Sequence, residues 1–501
     1  MQEKYKIVLT INMSMVKIEQ VNFCGRTPLP ENQFLAQGGC FFMEKNSPIG
    51  YLPDERPPIW KLLLYAIQQV IVMFPATVAV ALITGFHIST TIFASGLATL
   101  CFILVTKGQI PLYYGSSFSY IAAIGSLMAS DALANYSLND KIAVAQFGIV
   151  MSGFVSIIAG FIVNRFGRDS IEKVLPASIT GPIAMVIGLT LAGTALSDAA
   201  SIVIDSSGTF SVAEADVALA KNMAWIISLV TLLSTVLFSV YLKGFMGQLP
   251  LILGPVVGCI TTWIIEIATG INLFRVLPAT AGNGLFTPPV ITLPKPTWMA
   301  VAAIMPIAIA TIPESTAHVY QLDIYINDLA KKKGSSKRYN IADKLGLNLI
   351  GDGIGDIVAG LIGGPAGTNY GENISAMAIT KVFSVPVLVA ASIIAMIISC
   401  FTPLVNLIYS IPTAVIGGLE VYLFGAIAAQ GIAIMVEKKV DLFSSKNIAI
   451  IATIMIIGLG GQYAFGGNIP FFGLEVPCVA GAAIFGIILN LILSIGNKKN
   501  N

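Results

Sequence analysis

The sequence predicts an all-α polytopic membrane protein with fourteen transmembrane segments. Three observations support this fold class. The 501-residue chain is 55% hydrophobic and only 11% charged, with a mean hydropathy of +0.83, whereas a soluble domain carries about 25% charged residues. Apolar runs recur along the chain, and the basic residues are divided unequally between alternate loops.

Twelve runs are clearly apolar over about the 20 residues that a helix needs to cross hydrocarbon. Two further segments, 110–128 and 366–384, are apolar but interrupted by Gly, Pro, Ser and Asn, which brings the predicted number to fourteen. The clear runs are 60–83, 88–106, 142–164, 174–197, 222–242, 249–270, 298–313, 345–363, 386–409, 412–435, 447–465 and 474–495.

The basic residues test this number, because cytoplasmic loops are enriched in Lys and Arg. With fourteen segments and a cytoplasmic N-terminus, only four of the 28 basic residues lie on the outer side. A different number of segments would place more basic residues in outer loops. We therefore predict a multi-pass protein of the cell (plasma or inner) membrane with both termini cytoplasmic. The four outer residues are Lys141, Lys221, Arg275 and Lys295.

Residues 1–56 are polar and irregular, and they contain no apolar h-region of the signal-peptide kind. They predict a cytoplasmic arm. Met43 opens the sequence MEKNSP shortly before the juxtamembrane residues 54–58, so residues 1–42 are either an upstream extension that is not native, which we favour, or a disordered tail.

Several classes of chemistry are not expected from the sequence. The six cysteines are far apart and show no paired spacing, and no zinc motif, nucleophile elbow, P-loop or dinucleotide fingerprint is present. We expect no catalytic residues, no metal, no cofactor and no nucleic-acid partner.

The two interrupted segments are the candidates for a substrate site. They contain residues 115–120 (GSSFSY) and 367–372 (GTNYGE), and Phe118 and Tyr370 are about half the chain length apart. In transporters built from inverted repeats, a broken segment from each half meets near the bilayer midplane. The small and β-favouring residues predict short extended strands. Inside the membrane, extended backbone is stable only where it is buried in protein or lines a cavity. The alternative is an ordinary helix kink.

Two carboxylates accompany these segments. A charge at the bilayer centre costs about 2.5–3.5 kcal/mol on insertion scales, so such residues indicate a site. Glu372 belongs to the second interrupted segment, and Glu314 is followed four residues later by His318 on the same helix face. An acid and a base one turn apart can exchange a proton, as a proton-coupled carrier requires. A purely structural pair is the alternative.

Asp352 and Asp356 also lie one helical turn apart, in residues 351–356 (GDGIGD). They form either a second polar element or, as we favour, the start or the crowded face of a helix near its cytoplasmic end. Glu266 and Glu420 lie in apolar runs and receive no role.

At these residues the chain resembles the nucleobase–ascorbate transporter family, also called nucleobase:cation symporter 2, and in particular its uracil:proton symporters. The resemblance extends from about Asp54 to the C-terminus. It is carried by residues 107–118, by the pair Glu314 and His318, and by residues 368–381. The last resembles the family signature (Gln/Glu/Pro)-Asn-x-Gly-x-x-x-x-Thr-(Arg/Lys/Gly).

The resemblance implies that the fourteen segments form two inverted repeats of seven. It also implies a core domain that holds the substrate and a gate domain that also forms a homodimer. It implies a secondary active transporter that imports a nucleobase by proton symport, with Na⁺ as the alternative ion. Uracil or a related pyrimidine is expected first, and xanthine or another purine next. The core would comprise residues 57–170 and 297–410 and the gate residues 171–296 and 411–495, with a cytoplasmic tail at 496–501.

The resemblance also implies roles for individual residues. Glu314 and Glu372 would accept hydrogen bonds from the ring N–H groups of the base, and His318 would take part with Glu314 in proton coupling. Phe118 and Tyr370 would line the pocket, and backbone N–H groups beside Phe118 and Gly371 would donate to the carbonyls of the base. The supporting residues would be Ser117, Asn373, Thr380 and Phe424.

Three positions depart from the family pattern. Ser375 replaces the signature Gly and is expected to alter a helix contact. Gln69 replaces a common His of the polar network, and Phe424 replaces a Tyr at the gate. The rival hypotheses are an anion transporter of the same architecture, a channel and, last, a membrane enzyme.

Overall fold

The computed structural model describes residues 50–167, 173–202, 216–244, 246–278, 282, 284–471 and 474–497. The predictions for residues 1–49, including the possible extension 1–42, and for the end of the tail lie outside these ranges.

The first half of the described chain is helical except for one short strand, and a 3₁₀ turn at Phe118–Tyr120 follows that strand. Its elements are α1 (Ile59–Thr84), α2 (Ile88–Val105), β1 (Tyr114–Ser116), α3 (Ile121–Ala129), α4 (Leu138–Phe166), α5 (Ala177–Thr190), α6 (Ala192–Ala199), α7 (Val217–Tyr241) and α8 (Pro250–Thr269).

The second half repeats this order, with a strand and a short helix after a long helix, and ends in a hairpin and a last helix. Its elements are α9 (Trp298–Ile304), α10 (Ala308–Lys332), α11 (Leu345–Ile362), β2 (Gly367–Asn369), α12 (Gly371–Thr380), α13 (Val385–Ser399), α14 (Thr402–Tyr409), α15 (Thr413–Glu437), α16 (Ser445–Phe465), β3 (Asn468–Phe471), β4 (Leu474–Pro477) and α17 (Cys478–Asn497).

Eleven helical stretches among the described residues are long and apolar enough to span a membrane, and Phe118–Ala129 and Val385–Ser399 are shorter apolar helices. Together with the short helix α12, they occupy the fourteen predicted segments. The multi-pass membrane class is confirmed, while the number fourteen and the core and gate domains remain predictions.

One predicted boundary was wrong. The apolar run 298–313 stops before its first charged residue, whereas the helical stretch continues from Trp298 to Lys332 over 35 residues. Hydropathy ends the segment early because the residues beyond Glu314 include polar side chains that line a cavity.

The two interrupted segments form the predicted strands. β1 and β2 pair antiparallel, with Tyr114 opposite Asn369 and Ser116 opposite Gly367, and all six strand residues are buried. The pairing continues beyond the strands, where the Tyr370 N–H donates to the Tyr113 carbonyl at 2.9 Å. The prediction of short strands rather than a helix kink is therefore confirmed.

The helices pack most extensively within two sets. In one set, α11 packs on α4 and α2, and α13 packs on α2 and α1; in the other, α15 packs on α5, α6 and α7, and α16 packs on α5 and α17. Glycines permit the closest approaches. A Cβ on Gly153 of α4 or Gly353 of α11 would strike the other's carbonyl oxygen, and Gly181 and Gly431 stand in the same relation between α5 and α15.

Residues 50–55, which the sequence assigns to the arm, are fixed to the ends of α10 and α12. The Tyr51 N–H donates to the Lys381 carbonyl at 2.8 Å, and Glu55 pairs with Lys333 at 2.5 Å. Partial burial raises the pKa of Asp54, but hydrogen bonds from Lys337 and Tyr339 outweigh this effect and hold the pKa below its usual value. The juxtamembrane end of the arm is thus part of the folded body.

Candidate functional site

A cavity of about 1250 Å³ lies between the paired strands, α10 and α12 on one side and α5 and α15 on the other. Every residue predicted for substrate binding or proton coupling lines this one space: Phe118, Glu314, His318, Tyr370, Gly371 and Glu372. The chain brings them together from three separate stretches of sequence.

Each strand ends by starting a helix at the cavity. Phe118 opens the 3₁₀ turn that leads into α3, and Gly371 is the first residue of α12. The first N–H groups of a helix have no partner inside that helix. The site therefore offers backbone donors at two opposed helix starts, and the half-buried ring of Phe118 lies beside one of them.

Glu314 is half-buried on α10, and Glu372 is exposed to the cavity in the first turn of α12. A carboxylate is favourable there because the N-terminus of a helix carries partial positive charge. Among the described residues, neither carboxylate forms an ion pair with Lys or Arg. Both are available as hydrogen-bond acceptors in a space that water can enter.

His318 lies one turn beyond Glu314, but its ring packs beneath α12. A Cβ on Gly371 would lie only 2.8 Å from Nε2 of His318, so the close approach requires glycine at this position. The Nδ1 atom is buried without a hydrogen-bond partner in the described chain. The predicted acid and base share one cavity, yet no hydrogen bond joins them within the described ranges.

Tyr370 borders the cavity, but its hydroxyl has a structural role. This hydroxyl hydrogen-bonds Thr77 of α1 at 2.9 Å and donates to the Ser116 carbonyl at 3.0 Å. The ring leaves no space for a Cβ on Gly115. Tyr370 therefore ties the strand pair to α1.

The predicted supporting residues have different positions. The Ser117 side chain accepts a hydrogen bond from the Ser119 N–H at 3.3 Å, and the Thr380 hydroxyl donates to the Ala376 carbonyl within its own helix at 2.9 Å. Phe424 is buried beside Val80 and Leu191, behind the cavity wall. Of these three residues, only Ser117 lines the cavity.

The family departures are accommodated by local contacts. Asn373 donates to the side-chain oxygen of Gln69 at 2.8 Å, so Gln69 keeps a polar partner where the family commonly has His. The Ser375 hydroxyl donates to the Gly371 carbonyl at 3.0 Å, and its side chain is exposed at the cavity; an altered helix contact at this position stays a prediction.

Asp352 and Asp356 belong to a buried polar network behind the strands, which matches the alternative that sequence reasoning did not favour, a second polar element. Asp356 accepts hydrogen bonds from the Tyr114 hydroxyl and from the Gly367 N–H, the latter at 2.8 Å. Asp352 accepts from Ser315, which in turn accepts from Asn369 at 3.1 Å. The favoured interpretation, in which these aspartates merely face a crowded helix side, was incomplete, although their i, i+4 spacing did indicate one shared face.

A cavity at the start of two short helices, inside an apolar helical bundle, is the arrangement in which transporters built from inverted repeats hold their substrate. Solved structures with this fold include the murine Solute Carrier 26 family member A9 anion transporter in the inward-facing state, with a TM-score of 0.60, 12% identity and coverage of 93% of this chain and 77% of that one. The transmembrane domain of the cyanobacterial bicarbonate transporter BicA gives a TM-score of 0.54 at 14% identity, covering 86% of this chain and 96% of that one. At these identities the likeness concerns the fold alone.

The family follows from sequence comparison. The Xan_ur_permease model, described as "Permease family", matches residues 60–467, and the chain belongs to this family, as the nucleobase–ascorbate transporter resemblance predicted. The uracil permease of Bacillus caldolyticus is 33% identical over 456 residues, covering 89% of this chain and 95% of the relative. The uracil permease of Escherichia coli K12 is 31% identical over 443 residues, covering 88% and 93% respectively.

The structural role of Tyr370 is testable with a matched pair of variants. Tyr370→Phe removes a buried hydroxyl that has two partners, which costs about 1–3 kcal/mol, whereas Tyr463→Phe removes one from an exposed side chain. We expect Tyr370→Phe to lower the Tm of the purified protein and Tyr463→Phe to leave it unchanged. Equal Tm values would show that the hydroxyl does not tie the strands to α1.

Proposed function

We propose that this protein is a secondary active transporter that imports a nucleobase by proton symport, with uracil or a related pyrimidine as the first candidate. The observation that carries the proposal is the placement of Glu314, Glu372 and Phe118 around one cavity at two helix starts. Relatives named uracil permease, similar over nearly the whole chain, support the choice of substrate.

A nucleobase complements this set of groups. It is flat and uncharged, and its edge alternates N–H donors with C=O acceptors. Glu314 and Glu372 accept from the ring N–H groups, the N–H groups at Phe118 and Gly371 donate to the carbonyls, and the ring of Phe118 packs on the face of the base. Glu372, at the first signature position, favours uracil-like substrates over purines.

Transport would occur by movement of the core (57–170 and 297–410) against the gate (171–296 and 411–495), with the gate also forming a homodimer. Extensive helix contacts within each set support two bodies, and the cavity lies between them. The cavity extends to residues 437–441 at the end of α15. The basic residues assign that end to the cytoplasm, so the structure fits an inward-open conformation with cytoplasmic termini.

An anion transporter is the second candidate, because the neighbours of similar fold carry anions by their titles. The site favours the nucleobase: the cavity is lined by two carboxylates, Glu372 in the first turn of α12 and Glu314 within α10, which repel an anion, and the lining lysines Lys438 and Lys439 follow the end of α15. Excess unlabelled uracil should therefore inhibit the uptake of labelled uracil, whereas excess sulfate should not.

An uptake panel tests the proposal. Cells that express the protein are given radiolabelled uracil, thymine, xanthine, hypoxanthine, adenine or urate, with and without a proton uncoupler. We expect saturable, uncoupler-sensitive accumulation of uracil that excess sulfate does not inhibit. Accumulation driven by a Na⁺ gradient alone would overturn proton symport, and absence of uptake of every base would overturn the substrate class.

Glu372 is the sharpest test of recognition. Glu372→Gln turns one acceptor oxygen into a donor that faces a donor of the base, which costs about 1–3 kcal/mol and weakens binding about 5- to 150-fold. Glu266→Gln, on α8 outside the cavity lining, is the matched control and is expected to bind uracil normally. Unchanged affinity in Glu372→Gln would remove this carboxylate from the pocket.

We assign the coupling of proton movement to substrate transport to Glu314. His318 adjusts how readily Glu314 binds and releases the proton. Glu314→Gln mimics the protonated acid but cannot release a proton, so this variant is expected to lose uncoupler-sensitive accumulation while still exchanging substrate. His318→Ala is expected to shift the pH optimum of uptake and retain some accumulation. Accumulation against a gradient by Glu314→Gln would contradict this assignment.

A further inference from the structure

A second and much smaller cavity lies behind β2. It has a volume of about 10 Å³, room for a single water-sized particle, and is lined by residues of α4, α10, α11 and β2. Thr368 borders both this cavity and the large one. The proposed transport function uses none of the other groups that line the small cavity.

Two carboxylates reach this cavity, and the described residues supply no countercharge. Asp352 is 7% exposed and Asp356 is 2% exposed, and neither forms an ion pair with Lys or Arg in the described chain. Their hydrogen-bond donors are neutral: Ser315 and Asn348 for Asp352, and Tyr114 and the Gly367 N–H for Asp356. Two buried negative charges are costly without a cation or a proton.

Two oxygen atoms around the cavity also lack partners. Oδ1 of Asp352 and Oγ1 of Thr368 are buried and have no hydrogen-bond partner within the described ranges, and Thr368 is only 5% exposed. Ser156 of α4 adds a further hydroxyl to the lining. An unpartnered buried oxygen requires an explanation, such as an ion or a water.

We propose that this cavity binds one Na⁺ ion, held by the carboxylates of Asp352 and Asp356 with the hydroxyl oxygens of Thr368 and Ser156. An oxygen-only set suits a hard cation. Mg²⁺ keeps several of its waters, for which a cavity of about 10 Å³ has no room, and Ca²⁺ takes six to eight oxygens, more than one oxygen from each of these four side chains supplies. The described residues contain no cluster of three His, Cys, Asp or Glu side chains, as a transition-metal site would need.

The position of the ion gives it a structural effect. Asp352 and Asp356 belong to α11, and Thr368 belongs to β2. An ion shared by these residues joins the helix to the strand that precedes Tyr370 and Gly371. Bound Na⁺ therefore stabilises the fold whether or not substrate is present.

The test is thermal unfolding of the purified full-length protein in detergent without any nucleobase. NaCl is titrated against choline chloride at constant ionic strength, with KCl in a parallel series. A ligand that binds only the folded state raises Tm in a saturable way. We expect such a rise with Na⁺ and none with K⁺ or choline, and we expect it to be lost in Asp352→Asn.

Two further variants make the result decisive. Asp328→Asn removes an exposed carboxylate that pairs with Lys332, and it should keep the full Na⁺ response. Ser156→Ala removes only a hydroxyl, so it tests the site even if Asp352→Asn fails to fold, and its Na⁺ response should need higher concentrations. An unshifted Na⁺ response in Ser156→Ala would take that hydroxyl out of the site.

Equal Tm values in NaCl, KCl and choline chloride would overturn the proposal. A second outcome would also refute the Na⁺ site: Tm does not depend on Na⁺, it rises as the pH is lowered, and Asp352→Asn abolishes that rise. In that case the two carboxylates share a proton. Because these measurements contain no substrate, their outcome is independent of whether nucleobase uptake is observed.

Discussion

The structure depends on one constraint: extended backbone at membrane depth must find partners for its N–H and C=O groups. β1 and β2 satisfy this by pairing with each other. Hydroxyls of the neighbouring helix complete the pairing, since Ser95 and Thr99 both donate to the Tyr114 carbonyl at 2.9 Å and Thr99 accepts from its N–H at 3.0 Å. Only because the strands are satisfied in this way can two helices begin in the middle of the bundle and present their N-termini to a cavity.

Small residues in the strands are the geometric condition for this pairing. The ring of Tyr370 occupies the space that a Cβ on Gly115 would need, and the ring of Tyr114 does the same at Gly367. Gly115 of β1 thus leaves space for Tyr370, which directly follows β2. Gly367 of β2 leaves space for Tyr114 of β1. The two tyrosine hydroxyls then reach α1 and α11, so the pair is tied to helices on both sides.

The sequence was sufficient for features that are local. Apolar length predicted the membrane segments, and small and β-favouring residues predicted both strands. That Phe118 and Tyr370 share one site followed instead from the general architecture of transporters built from inverted repeats. It was insufficient where the partner is distant in sequence. The contact between Gln69 and Asn373 spans 304 residues and that between Tyr114 and Asp356 spans 242, and no local pattern indicates either. For the same reason, the i, i+4 spacing of Asp352 and Asp356 predicted that both lie on one helix face, but it could not predict which residues of other elements contact that face.

The kinds of contact around the cavity differ between its two walls, and this difference bears on the proposed movement. Hydrogen bonds join Ser315 of α10 to Asp352 of α11 and Asn369 of β2, and such directional contacts fix these elements to one another. Elsewhere the contacts are apolar: Val80 of α1 and Ile121 of α3 pack with Leu191 and with Phe424 of α15. Apolar contact is non-directional and depends on buried area, so it does not fix one arrangement as a hydrogen bond does. Hydrogen bonds also cross between the proposed core and gate, as where the Asn468 amide donates to the Ser126 hydroxyl at 3.0 Å. The proposed movement of the core against the gate would therefore break directional contacts of this kind as well as exchange apolar ones.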